Sequence, residues 1–213
     1  MPSLWNTPLL GPLVFSIWCA DARRKLDLIA PWLSTDDKLL EIGSGPGSVL
    51  REFRTAGYTI DALDVADSSF DETLTPNLYD GAEMPFEDGA YDTALLLTVL
   101  HHIAEPEPVL IEAMRVAQRV IIIEDVFETA WQRKYTKVAD SITNLEFIGH
   151  PHSNRSDTAW KATFARLGFE LVHASVHRLA GVFQQAVYVV EKGEHVESDS
   201  PGLDPGPRAA RPS

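Results

Sequence analysis

The segment Leu39-Leu-Glu-Ile-Gly-Ser-Gly-Pro-Gly-Ser-Val-Leu50 constrains this chain more than any other. An apolar run ends, three glycines alternate at 43, 45 and 47, and an amphipathic stretch with Val49, Leu50 and Phe53 follows. That order predicts a strand, a tight turn and a helix. Glycine lets the backbone turn sharply and lets a ligand approach with no side chain between. The helix N-terminus then offers unpaired N–H groups to ligand oxygens. An ordinary glycine-rich turn is the plainest reading. A phosphate-binding P-loop needs Gly-Lys-Ser/Thr, and the loop has no lysine. A dinucleotide fingerprint has glycine where Ser48 stands. What remains is an acid, Glu41, ahead of the glycines. A carboxylate there is awkward for a pyrophosphate and suits a ligand carrying an ammonium group.

Around this loop, strand and helix patterns alternate. Residues 38–42 read as a first strand, and 48–56 as a helix with Gly57 at the usual C-terminal glycine position. Residues 58–64 form a second strand, 77–80 a weaker third, and 68–74 at most a short helix. Residues 91–97 are apolar without alternation, as a strand covered on both faces should be. A helix over 105–117 opens on two prolines, and 119–124 is a fifth strand. Helices follow at 129–143 and 156–167, the latter with Ser156 as N-cap and Gly168 as stop. Strands at 169–177 and 185–192, joined through Gly181, have no helix between them. The pattern predicts an α/β fold with a mostly parallel sheet and one antiparallel strand.

The ends read differently. Residues 1–18 mix Pro2, Pro8, Gly11 and Pro12 with Leu4, Trp5, Leu9, Leu10, Val14, Phe15, Ile17 and Trp18, too apolar for a free tail. They are either a segment packed on the core or a lid over a pocket, and a helix over 21–32 follows. Residues 1–35 thus form a cover on the same domain, 36–192 the main sheet, and 193–213 a Pro-rich, nearly apolar-free tail expected to be disordered. Cys19 is the only cysteine, so no internal disulfide can form, which fits a reducing, cytoplasmic setting. It reads as a buried residue of an early helix. There is no signal-peptide pattern and no run approaching the ~20 residues of a membrane span. With 18 Lys+Arg against 31 Asp+Glu, the net charge is −13. That disfavours nucleic acid and anionic membranes as partners, because both rely on a positive field.

Asp64 closes the second strand, nineteen residues after the middle glycine. A carboxylate at that strand end can accept both hydroxyls of a ribose. Asp61 faces the other way by the strand period of two. Four blocks in order resemble the class I S-adenosylmethionine-dependent methyltransferases, in the small-molecule branch called methyltransferase type 11. They are Glu41-Ile-Gly-Ser-Gly-Pro-Gly47, Ala62-Leu-Asp-Val65, Asp80-Gly-Ala-Glu-Met-Pro-Phe86 and Tyr91-Asp-Thr-Ala-Leu-Leu-Leu-Thr-Val-Leu-His-His-Ile103. The resemblance implies a Rossmann-like three-layer αβα sandwich with seven strands, the last antiparallel. It implies S-adenosylmethionine as cofactor, S-adenosylhomocysteine as product, and methyl transfer to a small molecule.

Carried over by position, the resemblance implies a cofactor site with these parts. Gly43, Ser44, Gly45 and Gly47 shape the loop, and Glu41 holds the methionyl end. Asp64 binds the ribose, Val65 packs on the adenine, and Asp80 with Gly81 or Ala82 reads the adenine edge. Leu97 and Thr98 lie under the sulfonium. An O–H or N–H acceptor also needs a base. His102, His101 and Glu124 are the candidates at the strand ends, each with a capping, packing or surface role as the plain alternative. His150, His152 and Asn154 form a loop that reads first as plain surface, next as a substrate-side loop and last as a metal site, so no metal is expected. A monomer or homodimer acting on a small molecule is the expected form. The rival reading is a protein that uses this pocket without methylating, either a different enzyme or a binding scaffold.

Overall fold

The computed structural model describes residues 10–126, 155–179 and 183–193. The helix expected over 129–143, the loop with His150, His152 and Asn154, Gly181, the first nine residues and the tail beyond 193 lie outside them.

The chain opens with α1, Gly11–Ile29. It starts ten residues before the expected helix. Of the early prolines only Pro12 falls inside it, in the first turn, where the missing N–H costs nothing. Its inner face carries Phe15, Cys19, Ala22 and Ile29 at helical spacing, all buried. Residues 11–18 are therefore helix whose Phe15 side packs on the core while Leu13 and Ile17 stay exposed. Phe15 stacks on Phe70 at 4.1 Å between ring centroids.

Seven strands follow: β1 (Lys38–Ile42), β2 (Thr59–Asp64), β3 (Asn77–Leu78), β4 (Tyr91–Leu97), β5 (Ala117–Val126), β6 (Phe169–Leu179) and β7 (Phe183–Lys192). Helices α2 (Ser48–Thr55), α3 (Pro106–Val116) and α4 (Asp157–Arg166) connect or cover them. The sheet order is β3-β2-β1-β4-β5-β7-β6. The first five strands run parallel, and β7 is antiparallel to both β5 and β6. This is the expected seven-stranded, mostly parallel α/β sheet with an antiparallel last strand. Ser156 caps α4 by accepting from the Ala159 N–H at 3.2 Å, and Gly168 and Gly57 take left-handed conformations after their helices.

The central strands are apolar throughout because both faces are covered. On one face Leu95, Leu97, Ile121 and Ile123 pack with α1 and α2 residues such as Cys19, Leu50 and Phe53. On the other Leu96, Val120 and Ile122 pack with Leu110 of α3 and Trp160 and Phe164 of α4. Each such buried aliphatic contributes on the order of 1.5–3 kcal/mol.

Two expectations shrink. The helix at 68–74 is only a single turn over Glu72–Leu74, started by the Asp71 carboxylate on the Thr73 N–H. Leu74 is its one buried residue, and Pro76 prevents it from continuing. The third strand is only two residues long; the Tyr79 N–H makes its last ladder bond, to the Asp64 carbonyl at 3.1 Å, and Asp80 then enters a turn. The carboxyl ends of β1, β2, β4 and β5 nevertheless line up on one edge. The connections leave β1 in opposite directions at β1/β4, which is where ligands of such sheets bind.

Candidate functional site

The glycine loop and the end of β2 are locked together. The Gly43 N–H donates to the Leu63 carbonyl at 2.8 Å, and the Gly45 N–H donates to Asp64 Oδ2 at 2.9 Å. Gly43 has φ +78°, and a Cβ there would sit 2.2 Å from Val99 Cγ2. No side chain fits. Gly45 has φ +50°, but a Cβ there would meet nothing within 4 Å. Its exposed side is a place where something can approach bare backbone.

Asp64 Oδ1 also accepts from the Val65 N–H at 2.7 Å. Backbone donors thus hold the carboxylate still at the strand end while it keeps lone pairs for further donors. Asp61 is engaged elsewhere, accepting from the Tyr91 hydroxyl at 3.0 Å. Next to Asp64, Val65 stands 60% exposed. Asp80 Oδ1 accepts from the Ala82 N–H at 2.9 Å and shapes an exposed turn. A Cβ on Gly81 would lie 3.5 Å from Val65 Cγ1, so Val65 and the 80–82 turn are neighbours.

Glu41 is buried beneath the loop, and its Oε2 has no hydrogen-bond partner among the described residues. Ser44 Oγ is in the same condition. Burial pushes the Glu41 carboxyl up to about 8; the Lys25 charge opposes this and the Asp64 charge adds to it. An unsatisfied buried oxygen costs roughly 1–3 kcal/mol.

At the end of β4, Thr98 takes φ +62°, a left-handed conformation that a β-branched residue rarely adopts. Its N–H donates to the Ile123 carbonyl at 2.7 Å, and its hydroxyl receives Lys25 Nζ at 2.8 Å. Leu97 beside it is buried. Lys25 also pairs with Asp21 at 3.0 Å. The expected site residues do not include Lys25. Its signal was present: a lysine on the buried stripe Ala22–Lys25–Ile29.

The base candidates separate. Glu124 was expected at the rim, facing a substrate. It is instead fully buried, with Oε1 accepting from the Leu100 N–H at 2.6 Å and Oε2 lying 2.8 Å from His101 Nδ1. Both oxygens are spent on the turn over Leu100–His102. His101 is buried with it, while His102 is half-buried with its ring 4.0 Å from that of His101. Asp125 reaches across to Gln185 Nε2 at 3.0 Å. Among the described residues no group of three or more His, Cys, Asp or Glu could hold a metal ion.

A family model described as a methyltransferase domain matches residues 17–174. The chain belongs to that family. At the sequence level no curated protein matches this methyltransferase. Solved structures share its fold. A SAM-dependent methyltransferase from Methanosarcina mazei is 17% identical with a TM-score of 0.63, over 78% of this chain and 97% of that one. Magnesium protoporphyrin IX methyltransferase from Synechocystis PCC 6803, with bound S-adenosylhomocysteine, is 14% identical with a TM-score of 0.59, over 84% and 86%. The [4+2]-cyclase SpnF is 16% identical with a TM-score of 0.60, over 80% of each chain.

Proposed function

We propose that this methyltransferase transfers the methyl group of S-adenosylmethionine to an O, N or C nucleophile of a small molecule. The observation that carries the reading is the pairing of a buried Glu41 carboxyl, one of whose oxygens has no partner among the described residues, with a glycine loop tied to Asp64. Left alone, Glu41 is a cost to the fold; an ammonium group arriving over the loop would satisfy it and draw it into its charged form. The cofactor supplies an activated methyl on a sulfonium.

The chain's own residues fit the parts of that molecule. Gly43, Ser44, Gly45 and Gly47 wrap the methionyl and ribose region, with Gly45 as the open approach. Asp64 accepts the ribose hydroxyls. Val65 gives an apolar face for adenine, and Asp80 with Gly81 and Ala82 meets its polar edge. Leu97 and Thr98 form the floor below the sulfur. Because the methyl is already activated, the protein mainly positions the acceptor in line with it. Where the acceptor must lose a proton, His102 is the group to take it. Its turn is held in place by Glu124 through His101 and Leu100, so these two position rather than react.

A small acceptor is favoured by the single sheet unit and by a charge of −13, which repels a phosphate backbone. No helix among the described residues is long and apolar enough to cross a membrane. Because a [4+2]-cyclase carries the same fold, fold alone does not choose the reaction. Incubation with S-adenosylmethionine labelled on the methyl and a protein-free cell extract tests the reading. Label is expected in the low-mass fraction. Cofactor binding with no label moved would support the non-methylating alternative instead.

A further inference from the structure

The sheet ends on β6. This strand is 11 residues long, and among the described residues no strand pairs with its outer side. A bare edge of that kind is a template for another strand, and proteins usually blunt it with lysine, proline or a short length. β6 contains neither lysine nor proline. Of the large apolar side chains exposed among the described residues, Leu171, Val172 and Val176 lie on it. Its charge also stands apart from that of the chain. The protein carries −13 overall, whereas β6 balances Glu170 against Arg178 and adds His173 and His177. Two copies of so acidic a molecule repel each other over most of their surface, and this strand is a place where that repulsion lapses.

The bulge between Leu171 and His173 sets which side chains share a face. Leu171, Ala174 and Val176 stand opposite Val190, Tyr188 and Ala186, on the face covered by α3 and α4. His173 and Ser175 stand opposite Val189 and Val187, on the α1 face, and Glu170 and His177 share that face by strand alternation. A second β6 laid antiparallel about a two-fold axis at Ala174 is complementary on both faces. Leu171 and Val172, which the bulge sets against one position, meet Val176 of the second copy. Glu170 meets His177, and His173 meets the Ser175 hydroxyl. An axis at Ser175 would instead set His173 on His177 and Leu171 on Arg178, a poorer match.

We propose that β6 is a homodimer interface, where two copies of this chain join their sheets edge to edge with Ala174 at the axis. The outward N–H and C=O groups of both strands supply the bonds, and the side-chain pairs set the register. β7 and β5 separate β6 from β4, so the cofactor edge at β1/β4 stays clear of the contact.

Sedimentation equilibrium of the full chain, from micromolar to sub-millimolar concentration, tests this. A reversible dimer of twice the 23.6 kDa chain mass is expected. Val176→Lys puts a charge on the edge at two symmetric places and should weaken association by about tenfold or more. Val176 is exposed, so the circular dichroism spectrum and S-adenosylhomocysteine affinity should stay as in wild type. His177→Glu sets two acids face to face and should weaken the dimer by a similar factor. Adding Glu170→Lys to it should restore association, a rescue that other registers do not predict. A monomer at every concentration overturns the proposal and leaves the edge to another protein or to a segment of this chain. A dimer that Val176→Lys and His177→Glu both leave intact forms elsewhere and overturns it too. Failure of Glu170→Lys to rescue overturns the register.

Discussion

Glu41→Gln should make the ligand-free protein respond differently to pH. In the fold the carboxyl titrates at about 8, chiefly because it is buried, against 4.5 for the free group. An acid with a raised pKa costs the folded state nothing below pH 4.5, where both states are protonated. From there the unfolded chain ionises and the folded chain does not. The penalty grows by about 1.4 kcal/mol per pH unit and levels off above pH 8. Glutamine removes this pH-dependent term and keeps the shape. Between pH 5 and pH 8 wild type should therefore lose roughly 3 kcal/mol of stability relative to Glu41→Gln. That corresponds to about 6–12 °C in Tm for a chain of this size. Urea unfolding of both proteins at several pH values reads the difference as a slope, so any constant cost of the amide drops out. Parallel curves from pH 5 to 8 would refute the buried, unsatisfied carboxyl. The same variant should bind S-adenosylhomocysteine more weakly. Wild-type binding at pH 7 should release a proton, seen as a dependence of the apparent enthalpy on the buffer.

Other outcomes follow from the same geometry. Gly45→Ala meets no atom within 4 Å but must adopt φ +50°, so it should cost about 1–2 kcal/mol in unfolding experiments and lose far more in cofactor affinity. Gly43→Ala would drive a methyl to 2.2 Å from Val99 and should show a much larger drop in stability than Gly45→Ala. Glu124→Ala leaves the buried Leu100 N–H without its acceptor and should destabilise by roughly 1–3 kcal/mol, measured by chemical denaturation. His102→Ala should lower methyl transfer to an O–H or N–H acceptor by about 10²–10⁴-fold without changing S-adenosylhomocysteine affinity; an unaltered rate would remove the base role.

Much of the fold was legible because local pattern and global arrangement agree. β4 and β5 are apolar on both faces, so they read as covered strands, and the missing helix between the last two strands announced the antiparallel pair. The glycine loop, Asp64 and the 80–82 turn were readable for a similar reason: each is a short motif at a strand end, with its partners nearby in the chain or one strand away. What was missed depends on distant contacts. Lys25 lies on the buried Ala22–Lys25–Ile29 stripe, but its partner Thr98 is 73 residues away, and nothing local names it. Glu124 looked like a rim acid because strand ends are commonly exposed; its burial comes from the turn over Leu100–His102, 23 and 24 residues earlier. The start of α1 was obscured by prolines that, Pro12 excepted, precede it.

The central claim is that the loop at 43–47 and Asp64 together hold the cofactor. Calorimetric titration of wild type and Asp64→Ala with S-adenosylhomocysteine tests it most directly. The account predicts one site per chain in wild type and at least about a tenfold loss in Asp64→Ala, as expected when hydrogen bonds to a charged acceptor are removed. Absence of binding in wild type, or equal affinity in a folded Asp64→Ala, would contradict it.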